Sequence, residues 1–501
     1  MNLGEKSILI ATSEFSPFAK TGGLGDMVPA FAAGLRRAGH DVRVVMPLYA
    51  QVRQSGLDFS TALPQMCVKM GRGEVWCAVH NYVGEDGVPL YMIEHDHFFN
   101  RSGLYQDLDH HDYPDNPYRF GFFSKAVLQL AMDLQFEPDI LQVNDWQTAL
   151  IPAYLKTCSP DYPLLGKCAT VLTIHNESFK GYFPEALSQW LGLPYPDYPQ
   201  DPDSRSFLQT GIIFADAVNT VSPTHAEEMK APTGGFGLAP DIARKGELFR
   251  GVLNGVDYDV WSPEKDELIP DHYSIDNMSG KGVCKTHLQR EFHLEEKTGI
   301  ALMGFIGRLT EQKGVQLLEE VIEPVIRDMV TQFVLLGSGN PESERHFASL
   351  SARYPGKIGA HIGFNNRLAH LIEAGADFFL MPSIYEPCGL NQLYSLRYGA
   401  LPIVHATGGL EDTVDNYDEI SGKGTGFKFY DPTVGALYYT IGWAVSTYYD
   451  RPQHLCMLRE QAMKQDYGWA RSIRAYEDLF ALAIKVKNKE INMVRMRYKL
   501  T

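Results

Sequence analysis

Short apolar runs alternate with amphipathic segments along most of the 501-residue chain, and this alternation predicts an α/β fold. The first apolar run covers residues 7–12 and the next covers residues 41–46. Between them, apolar residues recur at the helical spacing i, i+3, i+4 and i+7, at Val28, Phe31, Ala32 and Leu35. We therefore predict a βαβ unit with parallel strands and a helix over about residues 28–38.

Two further apolar runs in the first half of the chain end in polar residues. Ile140–Asn144 leads into Asp145, and residues 170–174 lead into His175. The carboxyl ends of parallel strands meet at one edge of a sheet. We therefore expect Asp145 and His175 to lie in one crevice, together with the loop that follows the first strand. Taken singly, Asp145 is typical of a helix N-cap and His175 of a hydrogen-bonded core residue.

A second α/β series begins near residue 300. Five apolar runs predict its strands, at residues 301–306, 332–336, 357–362, 377–381 and 401–405. Helical segments separate the runs, which predicts a second parallel, doubly wound sheet. Residues 465–483 are predicted as a long amphipathic helix, and the basic tail 485–501 as a solvated end.

The chain is too long for one ordinary core, so two domains are expected. Weakly apolar sequence up to about residue 282 separates the two series. We place an N-terminal Rossmann-like domain at 1–260 and a C-terminal one at 261–470. Residues 471–501 are predicted as a C-terminal helix and tail that pack back toward the N-terminal domain. The Pro- and Asp-rich stretch 195–204 predicts a surface loop.

The charge balance narrows the range of partners. The chain has 45 Lys and Arg against 61 Asp and Glu, a formal net charge of −16. This charge argues against a nucleic acid or an anionic membrane as partner, and no apolar run approaches the ~18 residues of a membrane span. The 7 cysteines include no CxxC pair, which disfavours both zinc and a disulfide framework.

One short motif occurs twice, as TGGLGD at 21–26 and as TGGLED at 407–412. Each copy follows an apolar run, where a loop leaves the predicted sheet. Paired glycines let backbone N–H groups surround an anion, because no Cβ blocks the approach. One such loop in each half predicts a phosphorylated ligand that is held by both domains.

Charged residues follow the strands of the second series. A Lys/Arg pair is usually a solvated face, but Arg308 and Lys313 directly follow a buried-type strand and border glycines, which favours a diphosphate ligand. Two fixed cations would stabilise the charge on a departing diphosphate without a metal. Glu386 could accept hydrogen bonds from sugar hydroxyls, and Gly389 and Leu390 could offer backbone N–H groups to phosphate.

Seven phrases together resemble bacterial glycogen synthases and plant starch synthases in order and approximate spacing. They are KTGGLGD (20–26), NDW (144–146), TIHN (173–176), LNGVD (253–257), GRLTEQKG (307–314), EPCGLNQLYSLRYG (386–399) and TGGLEDTV (407–414). The resemblance covers nearly the whole chain. It implies a retaining GT-B glycosyltransferase of family 5, with two Rossmann-like domains facing across a deep cleft. The implied reaction moves glucose from ADP-glucose to the non-reducing 4-hydroxyl of an α-1,4-glucan.

The same resemblance implies roles for individual residues. Arg308 and Lys313 would bind the diphosphate, Glu386 the glucose hydroxyls, and the backbone carbonyl of His175 would face the anomeric carbon. Asp145 would help line the sugar site. The implied catalytic residues are therefore Arg308, Lys313, Glu386, His175 and Asp145. The implied substrate-binding residues are Lys20, Gly22, Gly23, Asp26, Asn176, Asn254, Cys388, Gly389, Leu390, Thr407, Gly408 and Gly409. No metal and no cofactor is expected.

Two positions refine the resemblance. Many retaining GT-B enzymes place a second Glu eight residues after the first, whereas this chain has Tyr394, as in the starch and glycogen synthase branch. His405 stands where bacterial relatives often have Arg, which changes the phosphate contacts expected of the second TGGL loop.

Several alternatives stay open at this point. The donor could be UDP-glucose, or the enzyme could prime new chains without a preformed glucan. A phosphorolytic enzyme of the same fold would carry a pyridoxal phosphate lysine. A glucan-binding regulator without activity is disfavoured by the complete charged set. The expected location is the cytoplasm, or the plastid stroma for a mature plant-type enzyme.

Overall fold

The computed structural model describes residues 3–109, 111–193 and 205–500, excluding the side chains of 494–500. The surface loop predicted at 195–204 lies outside these described residues. Among the described helices, none has the length and apolar character that crossing a membrane requires.

The chain divides into two compact units. The first contains Met1–Val221, Ala226–Gly255 and Trp469–Thr501, and the second contains Ser222–His225 and Val256–Gly468. The main divisions therefore fall at 255/256 and 468/469, close to the divisions at 260 and 470 drawn from the sequence. The short segment Ser222–His225 was not foreseen as part of the second unit.

The first unit is built on a mixed nine-stranded sheet in the order β11-β10-β7-β6-β1-β2-β5-β4-β3. The strands of this unit are β1 Ser7–Ala11, β2 Asp41–Pro47, β3 Ser60–Met70, β4 Gly73–Val83, β5 Pro89–Glu94, β6 Ile140–Asn144, β7 Ala169–Ile174, β8 Tyr182–Phe183, β9 Arg205–Ser206, β10 Ala217–Thr220 and β11 Phe249–Gly251. The βαβ unit predicted at the start of the chain is present, since β1 and β2 are parallel. At one edge of the sheet, β4 runs antiparallel to both β3 and β5. Strands β8 and β9 form a separate two-stranded sheet.

The second unit is built on a wholly parallel six-stranded sheet in the order β14-β13-β12-β15-β16-β17. Its strands are β12 Ala301–Ile306, β13 Thr331–Gly337, β14 Ile358–Ile362, β15 Phe378–Met381, β16 Leu401–His405 and β17 Phe427–Phe429. Almost every residue of these strands is buried, which is why they read as continuous apolar runs.

The α-helices occupy the intervals that the strands leave. They are α1 Gly23–Arg37, α2 Ala50–Gln54, α3 Asp96–Phe99, α4 Asn116–Asp133, α5 Asp145–Thr148, α6 Ile151–Thr157, α7 Ser188–Leu191, α8 Phe207–Phe214, α9 Pro223–Lys230, α10 Ala239–Lys245, α11 Ser279–Glu291, α12 Val315–Asp328, α13 Pro341–Arg353, α14 Asn366–Gly375, α15 Asn391–Tyr398, α16 Gly408–Thr413, α17 Val434–Asp450, α18 Pro452–Met463 and α19 Trp469–Leu500.

Helix α1 begins five residues earlier than the apolar repeat predicts, at Gly23 rather than Val28. The paired glycines are therefore its N-terminus and not a loop before it. Pro29 lies inside the helix and has no N–H to donate to the carbonyl of Gly25. That carbonyl instead accepts the N–H of Ser16 at 2.8 Å, which ties the first turn of the helix to the loop after β1.

Helix α19 corrects the expectation for the C-terminal tail. A solvated end was predicted from residue 485, but the helix continues to Leu500 and packs on α1, β7 and β10 of the first unit. Lys487 is buried, and Glu490 forms an ion pair with Lys156, which also binds Asp216 at 2.8 Å. These contacts explain why a basic sequence remains ordered against the sheet.

The segment Ser222–His225 contacts the loop after β15 and helix α16, both in the second unit. The hydroxyl of Ser222 donates to the carbonyl of Pro387 at 2.6 Å. The carboxylate of Asp412 accepts the N–H of Thr224 at 2.8 Å and its hydroxyl at 2.7 Å. Asp412, the last residue of the second TGGL motif, therefore caps the N-terminus of α9.

Candidate active site

Each sheet has one point at which the strand order reverses. In the first unit, β1 has β2 on one side and β6 on the other. In the second unit, β12 has β13 on one side and β15 on the other. Loops diverge at such switch points and leave a crevice at the carboxyl edge, where open α/β sheets bind ligands. The predicted site residues follow β1, β6, β7 and β11 in one unit and β12, β15 and β16 in the other.

Asp145 begins α5 in an unusual backbone conformation, with φ 53°. Aspartate tolerates this left-handed region better than most side chains, yet such conformations are uncommon and often mark functional sites. Its Oδ1 accepts the backbone N–H of His175 at 2.7 Å. The first residue after β6 thus holds the first residue after β7, as the sequence predicts for neighbouring strand ends.

The same carboxyl group has a displaced pKa. Burial raises the pKa of Asp145 to about 7, although hydrogen bonds from the backbone N–H groups of His175 and Asn176 act in the opposite direction. The negative charges of Glu14 and Glu177 add to the increase. A carboxyl group that titrates near neutrality is typical of functional sites.

The side chain of His175 is neutral, and its hydrogen bonds show which ring nitrogen carries the hydrogen. Burial lowers its pKa to about 3. Its Nε2 lies 3.0 Å from Oδ1 of Asn144, whose Nδ2 donates to the carbonyl of Ala11 at 3.0 Å. Because this bond orients the Asn144 amide, Oδ1 must be the acceptor and Nε2 of His175 carries the hydrogen.

Replacing Asp145 with asparagine is expected to stabilise the protein increasingly as the pH rises. In the wild type, the folded-state pKa of about 7 lies above the ordinary value of 3.8, so ionisation destabilises the folded state as the pH rises through this window. Asparagine tolerates the same backbone angles and does not titrate. The melting temperature of Asp145→Asn relative to wild type should therefore rise from pH 4 to a plateau above pH 7.

The matched control for this comparison is Asp58→Asn, at an exposed loop position of the same unit. It should show no such pH trend. A difference in melting temperature between Asp145→Asn and wild type that stays flat over the same window would contradict the displaced pKa.

The first TGGL loop binds an internal carboxylate that the sequence did not indicate. Glu14 is buried, and its Oε2 accepts the N–H of Thr21 at 2.7 Å and that of Gly22 at 3.1 Å. Its Oε1 accepts the hydroxyls of Thr21 at 2.6 Å and Tyr105 at 2.9 Å. The expectation that the N–H of Gly22 faces a phosphate is corrected, because Glu14 occupies that position.

The remaining predicted residues of the first unit lie on the same edge with different surroundings. Nζ of Lys20 forms a half-exposed ion pair with Asp26, at 2.6 Å. Asn176 accepts the N–H and hydroxyl of Ser178, at 3.1 and 2.6 Å. Asn254 is buried, and its Oδ1 has no hydrogen-bond partner among the residues that the structure describes. Since a buried oxygen of this kind is normally satisfied, Asn254 is well suited to receive a ligand hydroxyl.

In the second unit, the loops after β12 and β15 meet through a charged pair. Nζ of Lys313 lies 2.5 Å from Oε2 of Glu386, which also accepts the hydroxyl of Ser383 at 2.9 Å. Glu386 is buried, whereas the side chain of Lys313 remains 21% exposed. Gly314 follows with φ 67°, and a Cβ there would overlap the carbonyl oxygen of Pro382. The glycine is thus what allows the two loops to approach.

Arg308 occupies the more open part of this edge. It is exposed, and its Nη2 donates to Oε1 of Gln312 at 3.1 Å. The backbone carbonyl of Gln312 in turn accepts the N–H of Ile384 at 2.9 Å. Arg308 and Lys313 therefore belong to one loop that is fastened to the loop carrying Glu386, as a site for a charged ligand requires.

The second TGGL loop has a different role from the predicted phosphate cradle. The N–H of Gly409 donates to the carbonyl of Glu386 at 3.0 Å, so it is already committed to the protein. A Cβ on Gly408 would overlap that same carbonyl, and one on Gly409 would overlap the carbonyl of Cys388. The glycines permit close backbone packing beneath the Glu386 loop, with Thr407 as the N-cap position of α16.

The rest of the EPCGL segment is equally constrained. Cys388 is buried, and its carbonyl accepts Nε2 of Gln392 at 2.9 Å. Gly389 has φ 71°, and Leu390 is the N-cap position of α15. Helix α15 therefore begins five residues after Glu386. The Glu386 carboxylate contacts Lys313 and not the N-terminus of this helix.

His405 also supports this loop. Its Nδ1 lies 2.7 Å from the carbonyl oxygen of Ser383, and its Nε2 lies 3.2 Å from that of Tyr430. The ring thus joins the loop after β15 to the residue after β17. In this arrangement both ring nitrogens contact the backbone, so the side chain positions the Glu386 loop.

Two family models match the chain. Residues 7–244 match the starch synthase catalytic domain, and residues 289–451 match glycosyl transferases group 1. Glycogen synthase 1 of Geobacter metallireducens is 43% identical over 97% of this chain and 98% of its own length. The chain belongs to the glycogen synthase family. Glycogen synthase of Treponema denticola is 38% identical over 96% of this chain and 99% of its own length.

Solved structures agree with this family and with the fold. The catalytic domain of starch synthase IV from Arabidopsis thaliana, bound to ADP and acarbose, matches with a TM-score of 0.88 and 30% identity, over 96% of this chain and 99% of that one. Sucrose-phosphate synthase from Thermosynechococcus elongatus, at 15% identity and a TM-score of 0.59, shares the fold alone. The predicted GT-B fold and glycosyltransferase class are confirmed.

Proposed function

We propose that this glycosyltransferase moves glucose from ADP-glucose to the 4-hydroxyl at the non-reducing end of an α-1,4-glucan, with retention of configuration. The Lys313–Glu386 pair carries the proposal, because it joins a cation for a diphosphate to a buried carboxylate for sugar hydroxyls. The names of the glycogen synthase relatives, and the ADP and acarbose bound to the starch synthase IV domain, support the same donor and acceptor classes. The proposed location is the cytoplasm.

The second unit would bind the donor. A diphosphate oxygen on Nζ of Lys313 would bring the attached glucose near Glu386, whose oxygen lies 2.5 Å from the same nitrogen. Arg308 would add a second cation from the same loop. As the bond to glucose breaks, the negative charge on the departing diphosphate would be stabilised by both groups. We propose that the reaction needs no metal ion, since these fixed cations supply that charge.

The first unit would act on the glucose ring. Positive charge develops at the anomeric carbon during transfer, and a neutral His175 avoids placing a cation beside it. The backbone carbonyl of His175 would face that carbon. Asp145 fixes the peptide units on both sides of this residue, because its carboxyl group accepts the N–H of His175 at 2.7 Å and also that of Asn176. Asn254 would accept a sugar hydroxyl on its buried Oδ1. Lys20 and Asp26 would contribute to the acceptor side.

The base of the nucleotide would stack on Phe364, a residue that the sequence analysis did not single out. Phe364 lies two residues after the end of β14 and is 75% exposed. Gly363 precedes it and donates to the carbonyl of Gly337 at 2.9 Å, so the loops after β13 and β14 are joined. The Phe364 ring would offer a flat apolar surface to a purine.

The proposal is tested by measuring glucose incorporation from ADP-glucose and UDP-glucose in parallel. Each donor is assayed with glycogen, without glycogen, and with glycogen plus EDTA. We expect transfer from ADP-glucose that requires glycogen and withstands EDTA. Phe364→Ala should raise the KM for ADP-glucose with little change in kcat, whereas Phe364→Tyr should behave like wild type.

Other outcomes would overturn specific parts of the proposal. A higher kcat/KM for UDP-glucose would reassign the donor, and transfer without glycogen would indicate a priming enzyme. Loss of activity in EDTA, restored by a divalent cation, would contradict metal-free catalysis. No transfer from either donor would favour a glucan-binding protein without activity.

A further inference from the structure

A fully buried arginine lies in the first unit, outside the set of residues assigned to the candidate site. Arg119 belongs to α4 and has no exposed surface. Within the described part of the chain, no carboxylate lies within ion-pair distance of its guanidinium. Burial lowers the pKa of this group, which reflects the cost of removing a charge from water. An apolar side chain of similar size would avoid that cost, so the contacts of Arg119 indicate what the charge is for.

Arg119 is held by two hydrogen bonds and by aromatic rings. Its Nε donates to the carbonyl of Phe98 in α3 at 2.6 Å, and its Nη1 donates to Oδ1 of Asn116 at 2.6 Å. The guanidinium also lies over the rings of Tyr113 and Phe120, 5.0 and 5.2 Å from their centroids. The planar group is therefore fixed both along its edge and across its face.

The contact with Arg119 determines which way the amide of Asn116 points. A guanidinium can only donate, so the atom that faces Nη1 must be the amide oxygen. The amide nitrogen of Asn116 then points to Tyr105, whose carbonyl accepts it at 2.9 Å. The same carbonyl accepts the N–H of Tyr113 at 3.0 Å. Both lone pairs of the Tyr105 carbonyl are therefore used, and Tyr105 is held in place relative to α4.

The side chain of Tyr105 continues this chain of hydrogen bonds into the candidate site. Its hydroxyl donates to Oε1 of Glu14 at 2.9 Å. Glu14 in turn accepts the N–H groups of Thr21 and Gly22, at 2.7 and 3.1 Å. A continuous series of donors and acceptors thus connects the buried guanidinium of Arg119 with the backbone of the first TGGL motif.

We propose that Arg119 is a positioning residue for the segment that carries Lys20. It acts through Asn116, Tyr105 and Glu14 and touches no substrate itself. The inference rests on the proposed function, because Lys20 is proposed to contribute to the acceptor side. Loss of the connection lowers the fraction of protein in which this segment is correctly placed. The KM for glycogen should therefore rise, while kcat at saturating glycogen changes little.

The decisive variant is Asn116→Asp, made in the full-length protein. Its carboxylate can still accept from Arg119, and as an ion pair, but it cannot donate to the Tyr105 carbonyl. We expect a melting temperature close to the wild-type value and a KM for glycogen about tenfold higher, the size of effect that one hydrogen bond gives. Hydrogen exchange in the peptide that contains Thr21 and Gly22, measured without substrates, should be faster.

A double variant tests whether these contacts act as one chain. Tyr105→Phe breaks the next bond of the series, so Asn116→Asp combined with Tyr105→Phe should raise the KM for glycogen no further than either change alone. Independent effects would instead multiply to about a hundredfold. Arg119→Met removes the first donor, and the folded variant should reproduce the KM and the exchange rate of Asn116→Asp.

Ser124→Ala is the matched control, because Ser124 is also buried on α4 and donates to the carbonyl of Phe120 at 2.9 Å, outside this series. It should behave like wild type in both measurements. Wild-type exchange and glycogen KM in Asn116→Asp would overturn the inference, and so would multiplying effects in the double variant. If wild-type protein transfers no glucose, the proposed function fails, and hydrogen exchange without substrates still decides whether Arg119 positions the segment.

Discussion

Lys313→Ala is expected to lower kcat by about three orders of magnitude while the protein remains folded. The ammonium group of Lys313 would meet the diphosphate as negative charge builds on it, so its effect should be greatest in the transition state. Glu386→Gln should also be severely impaired, because the amide cannot replace a charged acceptor for sugar hydroxyls and for Lys313. Turnover at saturating donor and glycogen, together with thermal unfolding, measures both variants.

A second ion pair in the same unit serves as a control. It separates the general effect of losing an ion pair from the specific effect of losing Lys313. Lys297 and Glu295 form an exposed pair at 2.6 Å in the same unit, so Lys297→Ala removes a similar contact outside the site. Exposed pairs contribute little to stability, and this variant should keep wild-type turnover. If Lys313→Ala and Glu386→Gln both retained activity within tenfold of wild type, the assignment of the donor site would be wrong.

Glu14→Ala is expected to lower kcat/KM for glycogen by about a hundredfold, because Glu14 positions the segment that carries Lys20. Its carboxylate receives the N–H groups of Thr21 and Gly22 and two hydroxyls, so alanine would remove the acceptor of these partly buried donors. The loop with Lys20 would then lose its fixed position. Hydrogen exchange at the Thr21 and Gly22 amides should accelerate in the variant.

Tyr105→Phe is a milder variant for comparison. It removes only the hydrogen bond from the Tyr105 hydroxyl to Glu14, while the N–H groups of Thr21 and Gly22 remain bound to Glu14. It should reduce kcat/KM far less than Glu14→Ala. A Glu14→Ala variant with normal exchange at Thr21 and Gly22, but the same kinetic loss, would indicate that Glu14 contacts substrate directly instead of positioning the loop.

The architecture could be predicted from the sequence where burial dominates the pattern. The strands β12, β13, β15 and β16 are buried on both faces and therefore appear as apolar runs, correct to within one or two residues. The start of α1 was missed, because Gly23 and Gly25 are poor helix formers and Pro29 resembles a stop. The hairpin of β3 and β4 was missed because it is partly exposed and carries no comparable run.

The sequence predicted which residues form the candidate site better than it predicted the contacts among them. Strand-end reasoning placed Asp145 beside His175, and the structure joins them by one hydrogen bond. The contact of Lys313 with Glu386 joins loops far apart in sequence and depends on the strand order of the sheet. The glycines were over-interpreted as anion binders, because the pattern cannot show that Glu14 or the Glu386 carbonyl already accepts their N–H groups.

Because Ser222–His225 belongs to the second unit, that unit is not encoded by one continuous stretch of the chain. A gene fragment encoding only Val256–Gly468 would omit the hydroxyl that binds Pro387 and the helix terminus that Asp412 caps. A chimera that exchanges the second unit between two synthases would therefore need to transplant Ser222–His225 from the same parent. Crossover points chosen from linear domain boundaries would break this match and place mismatched contacts directly beneath the Glu386 loop.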